Sequence, residues 1–261
     1  MTVLCSVDGE VMAASDGRVP ITDDGLLRGD GTFEMLRLYG GTPFALNDHL
    51  DRLDASCAGI FLEYDRAVFE REIAALLEAN DQQSAYLRLV LTRGGRRIAI
   101  IEPPKTFEHG LKLSSVTYQT TIVLNGLKTL SYVANMTATR LAQRDGADEA
   151  LLVRPDGAVL EAPTSTIFWV DANGELRTPK LRAGVLASIT RDRIAQIVPV
   201  TEGDYRTQDV LNASEVFLAS SLREVQGVSE LDELTFNCPG PATERIAGLL
   251  SERIQAELNG A

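Results

Sequence analysis

Two ionisable side chains stand in apolar stretches of the sequence and could carry chemistry. Lys128 lies in the run Leu127-Lys128-Thr129-Leu130, and Glu161 follows Ala158-Val159-Leu160. Burial lowers the pKa of an amine, and a neutral amine can attack an aldehyde to form a Schiff base. The residues alone also allow the ordinary arrangements, in which Lys128 extends its amine into water from a strand edge and Glu161 is an exposed carboxylate in a turn.

Other residue types exclude several kinds of site. The chain has two histidines and three cysteines, namely His49, His109, Cys5, Cys57 and Cys238. The cysteines lack Cys-x-x-Cys spacing, so neither a disulfide framework nor a metal site is expected. The sequence has no Gly-x-Ser-x-Gly, Walker or His-Glu-x-x-His motif. Gly29-Asp30-Gly31 lacks the third glycine of a dinucleotide fingerprint and instead predicts a turn before a strand.

Composition places the chain among ordinary globular proteins. It has 261 residues, of which 44% are hydrophobic and 24% charged, so one large domain or two small ones can form. The 25 basic residues against 37 acidic ones give a net charge of −12. This balance disfavours nucleic acid and anionic membranes as partners, because phosphate binding needs a basic surface. An anionic small molecule stays compatible, since a few arginines can dominate one pocket.

The sequence also predicts where the protein acts in the cell. It begins MTVLCSVDGE without an apolar run, which is unlike a secretory signal peptide. No apolar stretch approaches the roughly 20 residues that a membrane helix needs. We therefore expect a cytoplasmic protein.

Apolar spacing predicts the elements of the N-terminal part. In the stretch 85–92, leucines alternate with Tyr86 and Arg88, which predicts a half-buried strand. Leu50, Leu53 and Cys57 recur at intervals of three and four, which predicts a helix. Further strands are expected over 3–7, 10–14 and 32–39, and a second helix around 68–77.

The C-terminal part is predicted to mix strands and helices. Strands are expected over 111–117, 149–154, 158–161, 166–170 and 215–219. Helices are expected over 132–145, from near Ser188, and from about residue 241 to the end. The most plausible domain boundary in the sequence lies near residues 118–127. We therefore predict a small N-terminal domain over 1–117, an interdomain loop over 118–127 and a large C-terminal domain over 128–261.

Five motifs occur in the order of a known family. They are Gly29-Asp30-Gly31-Thr32-Phe33-Glu34, His49-Leu50-Asp51-Arg52-Leu53, the Lys128 segment, the Glu161 segment and Gly184-Val185-Leu186-Ala187-Ser188-Ile189-Thr190-Arg191. With Ser220-Ser221-Leu222-Arg223-Glu224, the sequence resembles the class IV (fold type IV) pyridoxal-phosphate aminotransferases, which include branched-chain aminotransferases, D-amino acid transaminases and aminodeoxychorismate lyases. The resemblance implies an α/β (α+β) fold of two α/β domains with pyridoxal 5'-phosphate in the cleft between them, and a homodimer.

The resemblance also implies roles around the cofactor ring. Lys128 would bind the cofactor covalently and then move the substrate proton. Glu161 would accept a hydrogen bond from the pyridinium nitrogen and keep it protonated. Leu186 would pack on the ring face, and Ser165 or Thr166 would bond nearby cofactor atoms. After the glutamate this sequence has Ala-Pro-Thr-Ser-Thr, where the family often has Gly-Ser-x-Ser-Asn.

A second set of residues is implied for the cofactor phosphate. Arg52 would bind it by charge-assisted hydrogen bonds. Ile189 and Thr190 would offer backbone N–H groups at a helix N-terminus, where anions bind readily. Ser221 would add a hydroxyl and an amide. Ala187 replaces a commoner proline in this turn, which backbone N–H binding tolerates.

Arg28, Tyr86 and Arg88 are the candidates to bind the substrate carboxylate. Tyr86 and Arg88 share one face of the predicted strand, although Arg88 could also be a solvated arginine on an exposed sheet face. Phe33 and Leu222 complete the predicted substrate-binding set. The small-molecule partners implied are an amino acid and an α-keto acid.

The substrate prediction depends on which features of the subfamilies are present. Tyr86-Leu87-Arg88 resembles a pattern of branched-chain enzymes, but Arg28 stands where those enzymes usually have an aromatic residue. The loop 93–97 and its following residues lack the Arg-x-His pair of well-known D-amino acid transaminases. Arg28 and Arg88 together could replace that pair, and a second cation favours polar or dicarboxylic substrates. We therefore expect a variant D-amino acid transaminase that uses 2-oxoglutarate or pyruvate. The alternatives are a branched-chain aminotransferase, an aminodeoxychorismate lyase that forms 4-aminobenzoate and pyruvate, and a cofactor-binding scaffold without catalysis.

Overall fold

The computed structural model describes residues 3–119 and 121–260 and has two compact units. The first unit comprises the described residues up to Lys105 together with Leu127–Tyr132, and the second comprises Thr106–Gly126 with the described residues from Val133 onwards. These units differ from the predicted domains, 1–117 and 128–261, in two segments. Residues 106–117 belong to the second unit because their strand pairs in its sheet, and Lys128 belongs to the first because its backbone pairs there.

The first unit is built on a six-stranded antiparallel sheet. Its elements are β1 (Leu4–Val7), β2 (Glu10–Ala13), α1 (Asp24–Arg28), β3 (Gly31–Tyr39), β4 (Thr42–Pro43), α2 (Leu46–Gly59), α3 (Arg66–Glu78), β5 (Ser84–Thr92) and β6 (Arg97–Glu102). The strand order is β2-β1-β6-β5-β3-β4. The long β3 and β5 pair over their whole lengths, so they fix which side chains share a face.

One face of this sheet forms the core of the first unit. Leu36 and Leu87 from the sheet pack against Leu53 of α2 and Phe69 of α3, and all four are buried. Because side chains alternate along a strand, the residues between them point to the opposite face. That opposite face carries the predicted substrate-binding residues of β3 and β5.

The second unit contains an eight-stranded mixed sheet. Its elements are β7 (Leu111–Thr117), α4 (Val133–Arg144), β8 (Glu149–Val153), β9 (Thr166–Val170), β10 (Leu176–Pro179), α5 (Ile189–Ile197), β11 (Thr201–Gly203), α6 (Thr207–Leu211), β12 (Glu215–Ser220), β13 (Glu224–Leu231), β14 (Leu234–Thr235) and α7 (Pro241–Gly260). The order is β11-β10-β9-β12-β13-β7-β8, and β14 pairs with β13. β7 runs parallel to both of its neighbours.

Two apolar clusters stabilise the second unit. Trp169 and Leu218 are buried in one of them, between strands of the sheet and α6. Ala138 and Ala142 of α4 pack against Leu152 in the other. Small residues on α4 allow its backbone to approach β8 closely. Both clusters lie beside the segments that carry predicted cofactor ligands.

The fold confirms the predicted α/β (α+β) class and most predicted elements, with one correction. The predicted strand over 158–161 does not form as a continuous strand: the segment hydrogen-bonds to Leu152 and Arg154, but its pairing is limited to isolated bridges, Ala158 with Arg206 and Val159 with Val153. The sequence prediction also missed β10 and β13. Among the helices that the structure describes, none combines the length and the apolar character needed to cross a membrane.

Candidate active site

The backbone around Lys128 is held by the start of β3 and by α2. The amide N of Phe33 donates to the carbonyl O of Lys128 at 3.1 Å, and the amide N of Leu130 donates to Gly31 O at 2.9 Å. From the other side, the Lys128 amide donates to Ser56 Oγ at 3.1 Å. These hydrogen bonds hold the backbone of Lys128, from which the side chain extends, in one position.

The Lys128 amine lies against two aromatic rings. Its Nζ is 4.2 Å from the ring centre of Phe33 and 5.6 Å from that of Tyr132. The two rings meet edge to face, with centres 5.2 Å apart. A charged amine is attracted to such ring faces, and the rings limit the directions in which Nζ can move. This half-buried position differs from that of a lysine that extends freely into water.

Arg52 is held in place by a buried glutamate. Glu34 of β3 is fully buried, and its carboxylate accepts hydrogen bonds from Nε and Nη2 of Arg52, both at 2.7 Å. His49 Nδ1 is 2.8 Å from Glu34 Oε2. His49 and Arg52 are three residues apart on α2, so they lie on the same helix face. The predicted phosphate-binding guanidinium thus has a fixed orientation.

The charges in this cluster set the ionisation of its members. Burial raises the pKa of Glu34, but the charge and hydrogen bonds of Arg52 and the hydrogen bond of His49 outweigh it and lower that pKa to about 2. Burial lowers the pKa of His49, which outweighs the opposing effect of Glu34. His49 is therefore neutral, and its Nδ1–H donates to the Glu34 carboxylate.

Glu34 and His49 had no role in the sequence prediction. Each stands in a motif that carries the family resemblance, and neither was assigned a function of its own. The His-x-x-Arg spacing on one helix was the available signal, because it places both side chains on the same face.

The structure brings three predicted substrate-binding residues to one sheet face. Met35 lies opposite Arg88, and Phe33 follows on the same face of β3. Tyr86 stands two residues before Arg88 on β5, so its side chain points the same way. The face therefore combines the aromatic ring under the Lys128 amine with the predicted carboxylate-binding arginine.

Tyr86 and Arg88 both have protein partners on this face. Tyr86 is 2% exposed, and its Oη donates to Lys105 O at 3.0 Å. Arg88 binds Glu102 of β6 through two hydrogen bonds, Nε to Oε1 and Nη2 to Oε2, the latter at 3.2 Å. The Arg88 side chain is 34% exposed. It is thus an ion-paired arginine that stays partly exposed.

Arg28 and the arginines at positions 96 and 97 also form ion pairs within the first unit. Arg28 ends α1 and donates to Asp24 at 2.8 Å, with 72% of its side chain exposed. Arg97 binds Glu72, and Arg96 binds Asp8. The structure thus places Arg28 at a solvent-exposed helix end, whereas Arg88 lies on the sheet.

In the second unit, Glu161 lies beside the Gly184–Arg191 motif. Its Oε1 accepts a hydrogen bond from the amide N of Leu186 at 3.1 Å. Its backbone carbonyl accepts from the amide of Leu152 on β8 at 2.9 Å. Glu161 is half-buried, so it is not the exposed turn carboxylate that its residue type alone would favour.

Tyr118 is a neighbour of Glu161 that the sequence prediction missed. Burial and then the charge of Glu161 raise the pKa of Tyr118. Its hydroxyl donates to Asn135 Oδ1 at 3.0 Å, and Asn135 in turn donates to Pro163 O at 3.0 Å. This chain links the start of α4 to the turn after Glu161.

The start of α5 provides a helix N-terminus with buried residues. Ile189 and Thr190 form its first turn and are each 6% exposed. Ser188 is the N-cap, and its Oγ accepts from the amide of Arg191 at 3.2 Å. The cap does not use the amides of Ile189 and Thr190. Such amides, at the positive end of the helix dipole, suit an anion.

Two buried hydroxyls of the second unit suit a polar ligand. Ser165 is 5% and Thr166 3% exposed. Neither hydroxyl has a hydrogen-bond partner among the residues that the structure describes. A buried hydroxyl without a partner is costly, so these groups suit a ligand that carries acceptors. Ser221 and Leu222 lie in the tight turn between β12 and β13 and are half-buried.

Each unit carries residue types that pyridoxal phosphate requires of a protein. The first unit offers an amine against aromatic rings and an oriented guanidinium, and the second offers a carboxylate, a helix N-terminus and two buried hydroxyls. Lys128, Arg52 and Glu161 have the types that an aldehyde, a phosphate and a ring nitrogen would need, in that order. The residues present therefore fit the group.

Comparisons with known proteins agree on one family. A putative branched-chain-amino-acid aminotransferase of Methanocaldococcus jannaschii is 32% identical over 88% of each chain. A D-alanine aminotransferase of Bacillus licheniformis is 29% identical over 96% of each chain. An aminodeoxychorismate lyase of Bacillus subtilis is 29% identical over 95% of this chain and 94% of that one.

Comparisons with solved structures and with a family model indicate the same family. The fold IV transaminase CpuTA1 of Curtobacterium pusillum superposes with a TM-score of 0.86 at 27% identity, covering 95% of this chain and 99% of that one. The branched-chain aminotransferase of Thermoproteus uzoniensis superposes with a TM-score of 0.89 at 25% identity, covering 98% and 96%. The family model described as amino-transferase class IV matches residues 31–231. The chain therefore belongs to the class IV aminotransferases, enzymes that use pyridoxal phosphate.

Proposed function

We propose that this enzyme transfers an amino group between a D-amino acid and an α-keto acid, either 2-oxoglutarate or pyruvate. The observation that carries amino-group transfer is the position of Arg88 on the sheet face that also carries Phe33, the ring under the Lys128 amine. A guanidinium there provides the charge that an α-carboxylate needs. The similarity to a D-alanine aminotransferase supports the D-amino acid substrate.

Two residues would carry out the proton chemistry. Bound pyridoxal phosphate supplies an aldehyde carbon and an electron-accepting ring. Lys128 Nζ would accept the proton that leaves the substrate α-carbon and would hold it for delivery to the former aldehyde carbon, on the other side of the amino nitrogen. The Glu161 carboxylate would accept a hydrogen bond at the ring nitrogen and keep the proton there. Phe33 and Tyr132 would restrict the movement of Nζ, because both rings lie within 6 Å of it.

Other residues would bind the phosphate group of the cofactor. Arg52 would bind the phosphate by charge, with its orientation set by Glu34. The amides of Ile189 and Thr190 would donate to the same group from the start of α5. These assignments give the anionic end of the cofactor both a full charge and a helix terminus.

The second candidate is a branched-chain L-amino acid aminotransferase. The Tyr86-Leu87-Arg88 pattern and the relative from Methanocaldococcus jannaschii, which is 32% identical, favour it. The exposed Arg28 at the end of α1 counts against a purely aliphatic side-chain pocket only if that arginine reaches the substrate. Substrate specificity therefore decides between the two candidates.

A substrate panel tests the proposal directly. The enzyme saturated with cofactor is mixed with single D- or L-amino acids, and conversion to the aminated cofactor is followed by absorbance. We expect turnover with D-alanine or D-glutamate and regeneration by 2-oxoglutarate or pyruvate. Preference for L-leucine or L-valine would establish the second candidate, and pyruvate release from aminodeoxychorismate without an acceptor would indicate a lyase. Cofactor binding without any half-reaction would indicate a scaffold.

We also propose that the enzyme is a homodimer, as the family resemblance implies. Apolar side chains in and near α1 support this, because Ile21, Leu26 and Leu27 are each more than 60% exposed. Apolar patches of this kind often mark protein interfaces. Size-exclusion chromatography with light scattering tests the proposal, and a monomer at micromolar concentration would contradict it.

A further inference from the structure

Arg223 is a buried arginine inside the turn that joins β12 to β13. The residue is 9% exposed. Its Nη2 donates to Glu149 Oε2 at 2.7 Å, and its Nη1 donates to Gln226 Oε1 at 2.7 Å. Its guanidinium also lies over the ring of Phe107, 5.1 Å from the centre. Three separate segments of the second unit, which carry Glu149, Gln226 and Phe107, therefore contact one guanidinium.

Thr164 closes a ring of hydrogen bonds with this ion pair. Its Oγ1 donates to Glu149 Oε1 at 3.2 Å and accepts from Arg223 Nη2 at 3.3 Å. One hydroxyl thus acts as donor and acceptor at once, and Glu149 uses a different oxygen for each partner. The three side chains hold each other in a single arrangement.

This ring connects two turns that carry predicted cofactor ligands. Thr164 comes directly before Ser165 and Thr166, whose hydroxyls are buried without partners among the described residues. Arg223 comes two residues after Ser221, and its own amide donates to Ser220 Oγ at 3.4 Å. The side chain of Arg223 therefore ties the Ser221 turn to the turn after Glu161.

We propose that Arg223 is a positioning residue for cofactor binding, which it supports by fixing the Ser165–Thr166 turn against the Ser221 turn. The inference rests on the proposed cofactor-binding roles of those hydroxyls. Buried ion pairs are poor sources of stability, because apolar replacements of similar size are often neutral. A guanidinium, however, bonds several acceptors in one fixed fork, which a lysine ammonium does not reproduce. The arrangement suits positioning more than stability.

The test measures cofactor affinity and stability separately. Apoenzyme of each variant is titrated with pyridoxal phosphate, followed by absorbance and by quenching of protein fluorescence, and its Tm is measured without cofactor. We expect Arg223→Lys to raise the Kd for the cofactor about tenfold, and Glu149→Gln to raise it similarly. Arg177→Lys is the matched control, because Arg177 is an ion-paired, partly buried arginine of the same unit that binds Asp171. We expect it to leave the Kd unchanged.

A double variant checks that the two residues act together. Because Arg223 and Glu149 belong to one ring, Arg223→Lys combined with Glu149→Gln should raise the Kd hardly more than either change alone. Independent, multiplying effects would overturn the proposal. If Arg223→Lys does not fold, Thr164→Val tests the same ring from its exposed member, with the same expected rise in Kd.

Serine variants separate the failure of this inference from the failure of the proposed site. We expect Ser165→Ala and Ser221→Ala each to weaken cofactor binding. If neither does, the proposed ligands are wrong and the inference fails with them. If both do, but Arg223→Lys lowers only the Tm and leaves the Kd unchanged, Arg223 is purely structural and the inference alone is overturned.

Discussion

The carboxylate of Glu102 binds the edge of the Arg88 guanidinium that is formed by Nε and Nη2. Nε and Nη2 of Arg88 both donate to it across the β5–β6 pair. The arginine that is proposed to bind the substrate carboxylate thus already has an anionic partner. An incoming carboxylate must bind the remaining edge of the guanidinium and share its charge with Glu102.

Glu102→Gln should therefore strengthen the binding of anionic substrates. The glutamine keeps an oxygen acceptor for Arg88 but removes the competing negative charge. Partly exposed ion pairs contribute up to about 1 kcal/mol, so we expect the KM for 2-oxoglutarate to fall about fivefold with little change in kcat. Steady-state kinetics measures this.

The control for this change is Glu70→Gln, which removes an exposed carboxylate paired with Arg66 in the same unit. It should leave the KM for 2-oxoglutarate unchanged. A KM that rises in Glu102→Gln would show that Glu102 mainly orients Arg88 and does not compete with the substrate.

Lys128→Arg should abolish most turnover while leaving the fold intact. The arginine keeps a positive charge against Phe33 and Tyr132 but provides no amine of suitable pKa to move a proton. We expect the half-reaction with a good amino donor to slow by on the order of 10³-fold. Lys112→Arg, at an exposed lysine paired with Glu230, is the control. Unchanged half-reaction rates in Lys128→Arg would remove Lys128 from the mechanism.

The family resemblance implied Lys128, Arg52 and Glu161, through motifs that the sequence shows directly. Their signal is local, because each stands at a fixed position within a short motif. The strand over 85–92 was equally readable, since its leucines alternate and are buried. Periodicity of this kind needs no knowledge of the partner strand.

The partners of these residues were not predictable in the same way. Glu102 reaches Arg88 because the β5–β6 register places it opposite Tyr86, and that register is a tertiary property. The burial of Glu34 is hidden because residue type alone marks a glutamate as exposed. The segment 158–161 is apolar like a strand and hydrogen-bonds to Leu152 and Arg154, yet it forms isolated bridges and no continuous ladder.

The stability of the folded protein should decrease in two stages as the pH is lowered, because of the buried Glu34–His49 pair. The pKa of His49 is lowered in the folded state, so protonation favours the unfolded chain once the pH drops below the ordinary histidine value of about 6.5. The pKa of Glu34 is lowered to about 2, so its contribution is complete above the ordinary glutamate value of about 4.3 and is lost as the pH falls from there toward 2.

His49→Asn tests the first stage. The asparagine amide can still donate to Glu34 from a position close to that of Nδ1, but it does not titrate. We expect the Tm of the unaltered protein to decline between pH 7 and pH 5, and that decline to become smaller in His49→Asn. His109→Asn is the control for the other histidine, and an equal change in both variants would contradict the assignment to His49.

Gly31 lies where the Lys128 segment, β3 and β5 meet, and a side chain there should disturb all three. A Cβ at Gly31 would stand 2.3 Å from the carbonyl O of Leu91 and 2.6 Å from Cδ1 of Leu130. Because Leu91 O belongs to the backbone, relief requires the strands or the 127–132 segment to move. We expect Gly31→Ala to lower the Tm clearly and to reduce kcat, since the Lys128 backbone is held by the same segment.

Gly248→Ala in α7 is the matched control, because a Cβ there meets no atom within 4 Å. That change should stabilise the helix by roughly 0.5–1 kcal/mol, so thermal unfolding of the two variants should shift in opposite directions. Equal shifts would show that the close approach at Gly31 does not constrain the chain.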